Sequence, residues 1–171
     1  MFIESIRIEY QRYKELGEGT FRQVPPDRFF EKPGVENNSL SILISHISGN
    51  LKSRFTDFLT SDGEKDWRNR DKEFEQENLS KEKLMEIWEE GWSVLFATLQ
   101  SLSDEDMDKI VRIRGKELTV VKALHRSLAH TAYHVGQIVQ LGKYFAGERW
   151  QTLSIARNQS ASYNQNPDKE R

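Results

Sequence analysis

No cysteine occurs among the 171 residues. Disulfides, zinc–thiolate sites and cysteine nucleophiles are thereby excluded, and the absence suits a cytoplasmic protein. Long hydrophobic runs are missing as well. No window approaches the ~20 apolar residues of a membrane span. The N-terminal MFIESIRIEYQRYKELGEG mixes charge with apolar residues at helical spacing, so no signal peptide is expected, because none of it is an uninterrupted apolar stretch after a basic start. Neither sign of charge dominates. The 25 Lys+Arg stand against 27 Asp+Glu, a formal net charge of −2, which argues against a nucleic-acid protein that works through a basic footprint. Phosphate loops, the G-x-S-x-G elbow, dinucleotide fingerprints and internal repeats are also lacking.

What is present is the composition of a globular protein: 36% hydrophobic, 11% aromatic and 30% charged residues, with enough length to bury a core. Phe2, Ile6, Tyr10, Tyr13 and Leu16 recur at three- to four-residue spacing and predict a first helix over 2–17, stopped by Gly17 and Gly19. Pro25 and Pro26 break regular structure, and a short helical turn is expected at 27–30. The stripe Leu40, Leu43, Ile44, Ile47, Leu51, Phe55 and Phe58 predicts a second helix over 39–59, capped by Asn38 or Ser39. Gly49 interrupts that stripe at a cost of about 1 kcal/mol relative to Ala, a feature that permits close helix approach. Residues 60–79 form a strongly charged excursion. A third helix is predicted over 80–101, a hairpin with a glycine turn over 109–120, and a fourth helix over 119–146 ending at Gly147. The tail from Gln151 is polar, and from Ser160 it is expected to be mobile. The pattern predicts an all-α four-helix bundle with one small hairpin, forming one domain over 1–160 with a polar tail over 161–171.

Four histidines stand in this frame. His130 and His134 share one helix at a spacing of four residues, a net rotation of about 40°, so both rings leave from one side a turn apart. Two imidazoles so placed can grip one metal ion. The pair does not match H-E-x-x-H, since Thr131 stands where a zincin has glutamate. His46 lies beside the apolar seam of the second helix, and bundle interiors build metal sites from facing helices. Two ligands from one helix and one from another leave coordination positions open, the pattern of a catalytic metal. A hydrogen-bonded, part-buried histidine accounts for His46 equally well on pattern alone. His125 is rotated about 140° from His130 and about 180° from His134, and is assigned to the surface or an interface. Asn50, one turn beyond His46, and Gln137 are candidates to line the pocket or orient a ligand. Tyr133 is expected to pack.

At these residues the chain resembles the DinB/YfiT-like superfamily, within it a bacterial branch catalogued as a domain of unknown function. The likeness is carried by HISGNLKSRFTDFLTSDGEKDWRNRDKEF (46–74), IRGKELTVVKALHRSLAHTAYHVGQIVQLGKYFAG (113–147) and RWQTLSIARNQS (149–160). The resemblance implies a four-helix bundle holding a divalent metal on His46, His130 and His134. It also implies a thiol-dependent transferase or a metal-dependent hydrolase, often homodimeric. Asp62, Glu64, Arg68, Arg70 and Asp71 then fall where they shape the rim of the site or a dimer contact. Trp67 and Trp150 are candidate exposed aromatics for that contact.

Three functions follow. The first is an S-transferase using a low-molecular-weight thiol, held as thiolate by the ion; no protein base is needed, and a cysteine-free chain fits. The second is a hydrolase in which the ion lowers the pKa of a bound water. That reaction benefits from a nearby carboxylate, for which Glu64 or Asp62 are the loop candidates. The third is a non-catalytic metal-binding bundle of stress-response type. Neutral imidazoles suit zinc, nickel and iron. Zinc is the default metal, with nickel, manganese and iron as alternatives.

Overall fold

The computed structural model describes residues 1–75 and 79–167. Residues 76–78 of the charged excursion and 168–171 of the tail therefore lie outside the described residues. Four long helices dominate: α1 (Phe2–Phe21), α2 (Leu40–Phe55), α3 (Lys81–Ser101) and α4 (Val120–Ala146). Strands β1 (Ile110–Ile113) and β2 (Lys116–Thr119) form an antiparallel hairpin ahead of α4, and a one-turn helix α5 (Ser160–Tyr163) closes the described chain. Short 3-10 turns occupy Pro26–Phe30, where a helical turn was expected, and Asp71–Phe74, inside the charged excursion. Among the described residues no helix is long and apolar enough to cross a membrane.

The helices start where side chains satisfy their first free N–H groups. The Ser39 hydroxyl accepts from Ile42 N at 3.2 Å, that of Ser80 from Lys83 N at 3.2 Å, and that of Thr119 from Lys122 N at 3.4 Å. Each apolar stripe then turns inward. Helix α2 packs chiefly on α3 and α1 chiefly on α4, while α2 also meets α4 and α1 meets α3. Trp88 and Trp92 of α3 are fully buried, their rings against Phe21 and Tyr10 of α1. A buried side chain of this kind contributes about 1.5–3 kcal/mol or more.

Two helix ends depart from expectation. Helix α1 runs through Gly17 and Gly19 to Phe21. A Cβ on Gly17 would sit 2.7 Å from the Trp88 ring, and one on Gly19 2.8 Å from Leu153. These glycines make room for neighbours rather than ending the helix. Helix α2 stops at Phe55, four residues early, because Thr56 is extended and Asp57 adopts φ 49°. Phe58 is still buried from the following turn. The close helix approach falls at Gly91 of α3, where a Cβ would lie 2.7 Å from the Ser48 Cα of α2.

The hairpin turn is Arg114-Gly115, with φ of 55° and 70°. Both residues in the left-handed region mark a type I′ turn, which matches the twist of the strands. Arg114 is an unfavourable residue there. The Asp62 carboxylate compensates, accepting from Arg114 N at 2.8 Å and Gly115 N at 2.7 Å. Gly63 N donates to Arg112 O at 2.8 Å, and the Ser53 hydroxyl of α2 donates to Gly63 O at 2.6 Å. The charged excursion is thereby tied to both the hairpin and α2, and it closes over the face where α2 meets α4.

Candidate metal centre

His46 projects from the middle of α2, and His130 and His134 from the middle of α4, one turn apart. Their candidate ligand nitrogens all lie within 4.8 Å of one another. His46 Nε2 and His130 Nε2 are 3.2 Å apart. Four ligands at about 2.0–2.1 Å in a tetrahedron put neighbouring nitrogens about 3.3 Å apart, so the pair has the spacing of two ligands on one ion. The three ring centroids are 4.6–5.1 Å apart.

The hydrogen-bond partners decide which nitrogens are free. His46 Nδ1 lies 2.8 Å from Glu73 Oε2. An ionised carboxylate only accepts, so Nδ1 carries the proton and the Nε2 lone pair faces the other histidines. His134 Nδ1 lies 3.2 Å from the Gln137 amide oxygen, which likewise frees its Nε2. This is the arrangement that fixes tautomer and ring orientation in histidine metal sites. Burial, then electrostatic interaction with His134, His46, Arg68 and Arg54, hold the His130 pKa down at about 3. Burial is also the main cause of a lowered His134, against the Gln137 bond. Both rings are neutral at pH 7, the form that binds metal.

Glu73 is itself held from behind. Arg68 donates from Nε to Glu73 Oε1 at 2.7 Å and from Nη2 to Oε2 at 2.9 Å, a two-pronged pair. The Arg68 side chain is 2% exposed and that of Glu73 10%. Burial pushes the Glu73 carboxyl up, but the bonds from His46 and Arg68 and the guanidinium charge outweigh it and hold it below the ordinary range. Gly49 explains how a carboxylate gets this close: a Cβ there would collide with Glu73 Oε1. The glycine in the α2 stripe thus admits a side chain of the excursion, not a neighbouring helix.

A cavity of about 410 Å³ opens on the three histidines. Its walls include Phe55, Phe58, Phe74 and Ile113, and among the described residues no aspartate or glutamate. Asn50 lines it beside His46, and the Gln137 amide oxygen lies against His134 Nδ1. Glu64 does not line it. It pairs with Arg54 at 3.2 Å and Arg114 at 2.8 Å instead, and Asp62 is engaged by the hairpin turn. Arg68 and Arg70 reach the cavity, whereas Asp71 is 95% exposed. His125 is exposed and packs edge-on to Phe2, away from the site. Tyr133 corrects the packing expectation: it is 66% exposed, lines the cavity and meets the His134 ring at 4.9 Å. Trp67 is exposed, but Trp150 is half-buried against the α1–α4 seam, with its ring near Gly142.

Sequence reasoning missed Glu73, the partner of His46. One of many acids in a charged run, it carries no local mark, and only Gly49 hints that something approaches α2 there. The family model "Protein of unknown function (DUF1572)" matches residues 1–159, so the chain belongs to that family. No curated protein and no solved structure matches the chain.

Proposed function

We propose that this DUF1572 protein is a divalent-metal enzyme, a low-molecular-weight-thiol-dependent S-transferase built on a four-helix bundle of DinB/YfiT type. The observation that carries the reading is the pairing of three convergent histidines with an open cavity whose walls, among the described residues, hold no carboxylate. His46, His130 and His134 would hold the ion. When bound, it supplies the Lewis acidity that keeps a thiol deprotonated at neutral pH. Glu73 fixes His46, and Gln137 fixes His134. The apolar wall of Phe55, Phe58 and Phe74 holds the electrophile and excludes water. In the reaction the thiol proton goes to solvent, the sulfur forms a C–S bond, and the leaving group departs with its electron pair. No protein base is required. Hydrolysis would favour a carboxylate near the attacking water, and Glu73, the carboxylate against His46, is engaged with His46 Nδ1 and Arg68.

Zinc is the default metal of this reading, with nickel, manganese and iron as alternatives. A cytoplasmic homodimer using the exposed Trp67 completes it. The test is elemental analysis of untagged protein beside a His130→Ala/His134→Ala variant, followed by a thiol-consumption assay with a haloarene electrophile. One divalent ion per chain, lost in the variant together with thiol consumption, supports the reading. Absence of metal after loading and dialysis refutes it. Metal-dependent ester hydrolysis without thiol consumption selects the hydrolase.

A further inference from the structure

Five arginines line the cavity: Arg54, Arg68, Arg70, Arg114 and Arg126. Among the described residues three carboxylates pair with them. Glu64 serves Arg54 and Arg114, Glu73 serves Arg68, and exposed Asp71 lies 3.9 Å from Arg70. An excess of positive charge remains on one cavity of a chain whose formal charge is −2, and a divalent cation on the histidines would add to it. Burial first, and then the charge of Arg68, hold Arg54 below the ordinary arginine range.

The unengaged donors are specific. Arg68 Nη1 is buried with no hydrogen-bond partner among the described residues, and a buried charged donor left unpaired is costly. Arg126 has no ion pair or hydrogen bond among the described residues, although it lines the same cavity. Arg126, His130 and His134 stand at successive four-residue steps of α4, so they share one face, about 6 Å per step along the axis. Arg68 also borders a second cavity, but that one is lined by Glu73, Glu75 and Glu90, which repel an anion.

We propose that this cavity binds the anionic group of a small substrate, a carboxylate or a phosphoryl group, on Arg126 and Arg68 Nη1, beside the metal-binding histidines. The proposal rests on the reading above for its catalytic meaning, but the arginine site stands without the metal. Guanidinium forks suit both kinds of oxyanion, and the anion answers the uncompensated charge.

The test uses the full chain, stripped of metal by chelator and dialysed. Inorganic phosphate and succinate are titrated calorimetrically, with glycerol as the neutral control, at low and at high ionic strength. At least one anion binds, glycerol does not, and added salt weakens the binding. Arg126→Gln, an exposed change that breaks no internal bond, weakens it about tenfold or more. Arg68→Lys, which keeps a charge for Glu73 but removes Nη1, weakens it as well. Phosphate alone binding identifies a phosphoryl substrate, and succinate alone a carboxylate. Binding that persists in His130→Ala/His134→Ala separates this site from the metal. The proposal is overturned if neither anion binds the metal-free chain, or if Arg126→Gln binds as tightly as the parent.

Discussion

Replacing Glu73 by glutamine tests the link between the excursion and the histidines most directly. The change keeps size and shape but removes the charge and one of two acceptor oxygens. Arg68, only 2% exposed, would lose one of its two bonds outright and keep the other as a weaker, neutral-acceptor bond. Its Nη1 is already without a partner. Breaking a buried ion pair from one side costs about 3–5 kcal/mol, and the retained amide oxygen puts this change near the lower end. For a chain of this length each kcal/mol moves Tm by about 2–4 °C, so metal-free Glu73→Gln melts about 6–12 °C below the parent. His46 keeps its place on α2 but loses a charged acceptor behind Nδ1, and such partners are worth about 10–100-fold in metal affinity.

The two effects separate in a double variant. Arg68→Met with Glu73→Leu removes both charges and restores apolar packing, which is often neutral or stabilising. Its melting temperature returns toward the parent. Its zinc affinity, measured by competition with a chromophoric chelator, stays low because His46 Nδ1 still lacks its acceptor. An unchanged zinc affinity in both variants refutes the role given to Glu73. Recovery of affinity in the double variant refutes it too, since it would trace the loss to the stranded Arg68 instead.

Gly49→Ala, which in an exposed helix gains up to about 1 kcal/mol, here expels Glu73 from His46 and lowers both Tm and zinc affinity in the same assays. Gly91→Ala places a Cβ 2.7 Å from the Ser48 Cα; overpacking of this kind costs about 1–3 kcal/mol, read by urea denaturation, with the metal site intact. Asp62→Ala frees the Arg114 and Gly115 amides, whose hydrogen exchange rises by an order of magnitude or more relative to the rest of the hairpin. Bonds from Glu64 N and Gly115 N, then Arg114 N, hold the Asp62 carboxyl below its ordinary range despite some burial. Its contribution is therefore complete above the ordinary aspartate range and is lost as pH falls through that range to the lowered value. Acid titration followed by circular dichroism shows Asp62→Asn less stable at neutral pH and converging with the parent in acid.

The helices were legible because their signal is local. The stripes on α2, α3 and α4 repeat every three to four residues, and each predicted start lies within a residue of the observed one. His130 and His134 were legible for the same reason. His46 required only its place beside the seam. The ends of α1 and α2 were not legible: Gly17 resembles a stop in sequence, and only the Trp88 ring against it shows another role. Glu73 was hidden by its company, since Asp62, Glu64, Asp66, Asp71, Glu73 and Glu75 share one charged run. Which of them reaches His46 is set by where the hairpin anchors the run, a tertiary fact. Arg126 had a signal that went unused, its four-residue step before His130.

The site divides its labour between rigid and attached parts, and that division bears on what it can do. Helices α2 and α4 supply the candidate ligand nitrogens from positions fixed by the core. The excursion supplies orientation through Glu73 and charge through Arg68 and Arg70, and it is anchored by Asp62 and Gly63. A device that only stored a metal would need the first part alone. The second part brings the buried Arg68 Nη1 to an open cavity that α4 lines with Arg126 and the exposed Tyr133, an arrangement that costs stability unless a ligand answers it. On the proposed reading the histidines would hold the ion, and the excursion would serve the substrate. Loosening the Asp62 anchor is expected to weaken anion binding before it weakens metal binding, an order that a pure storage site would not show.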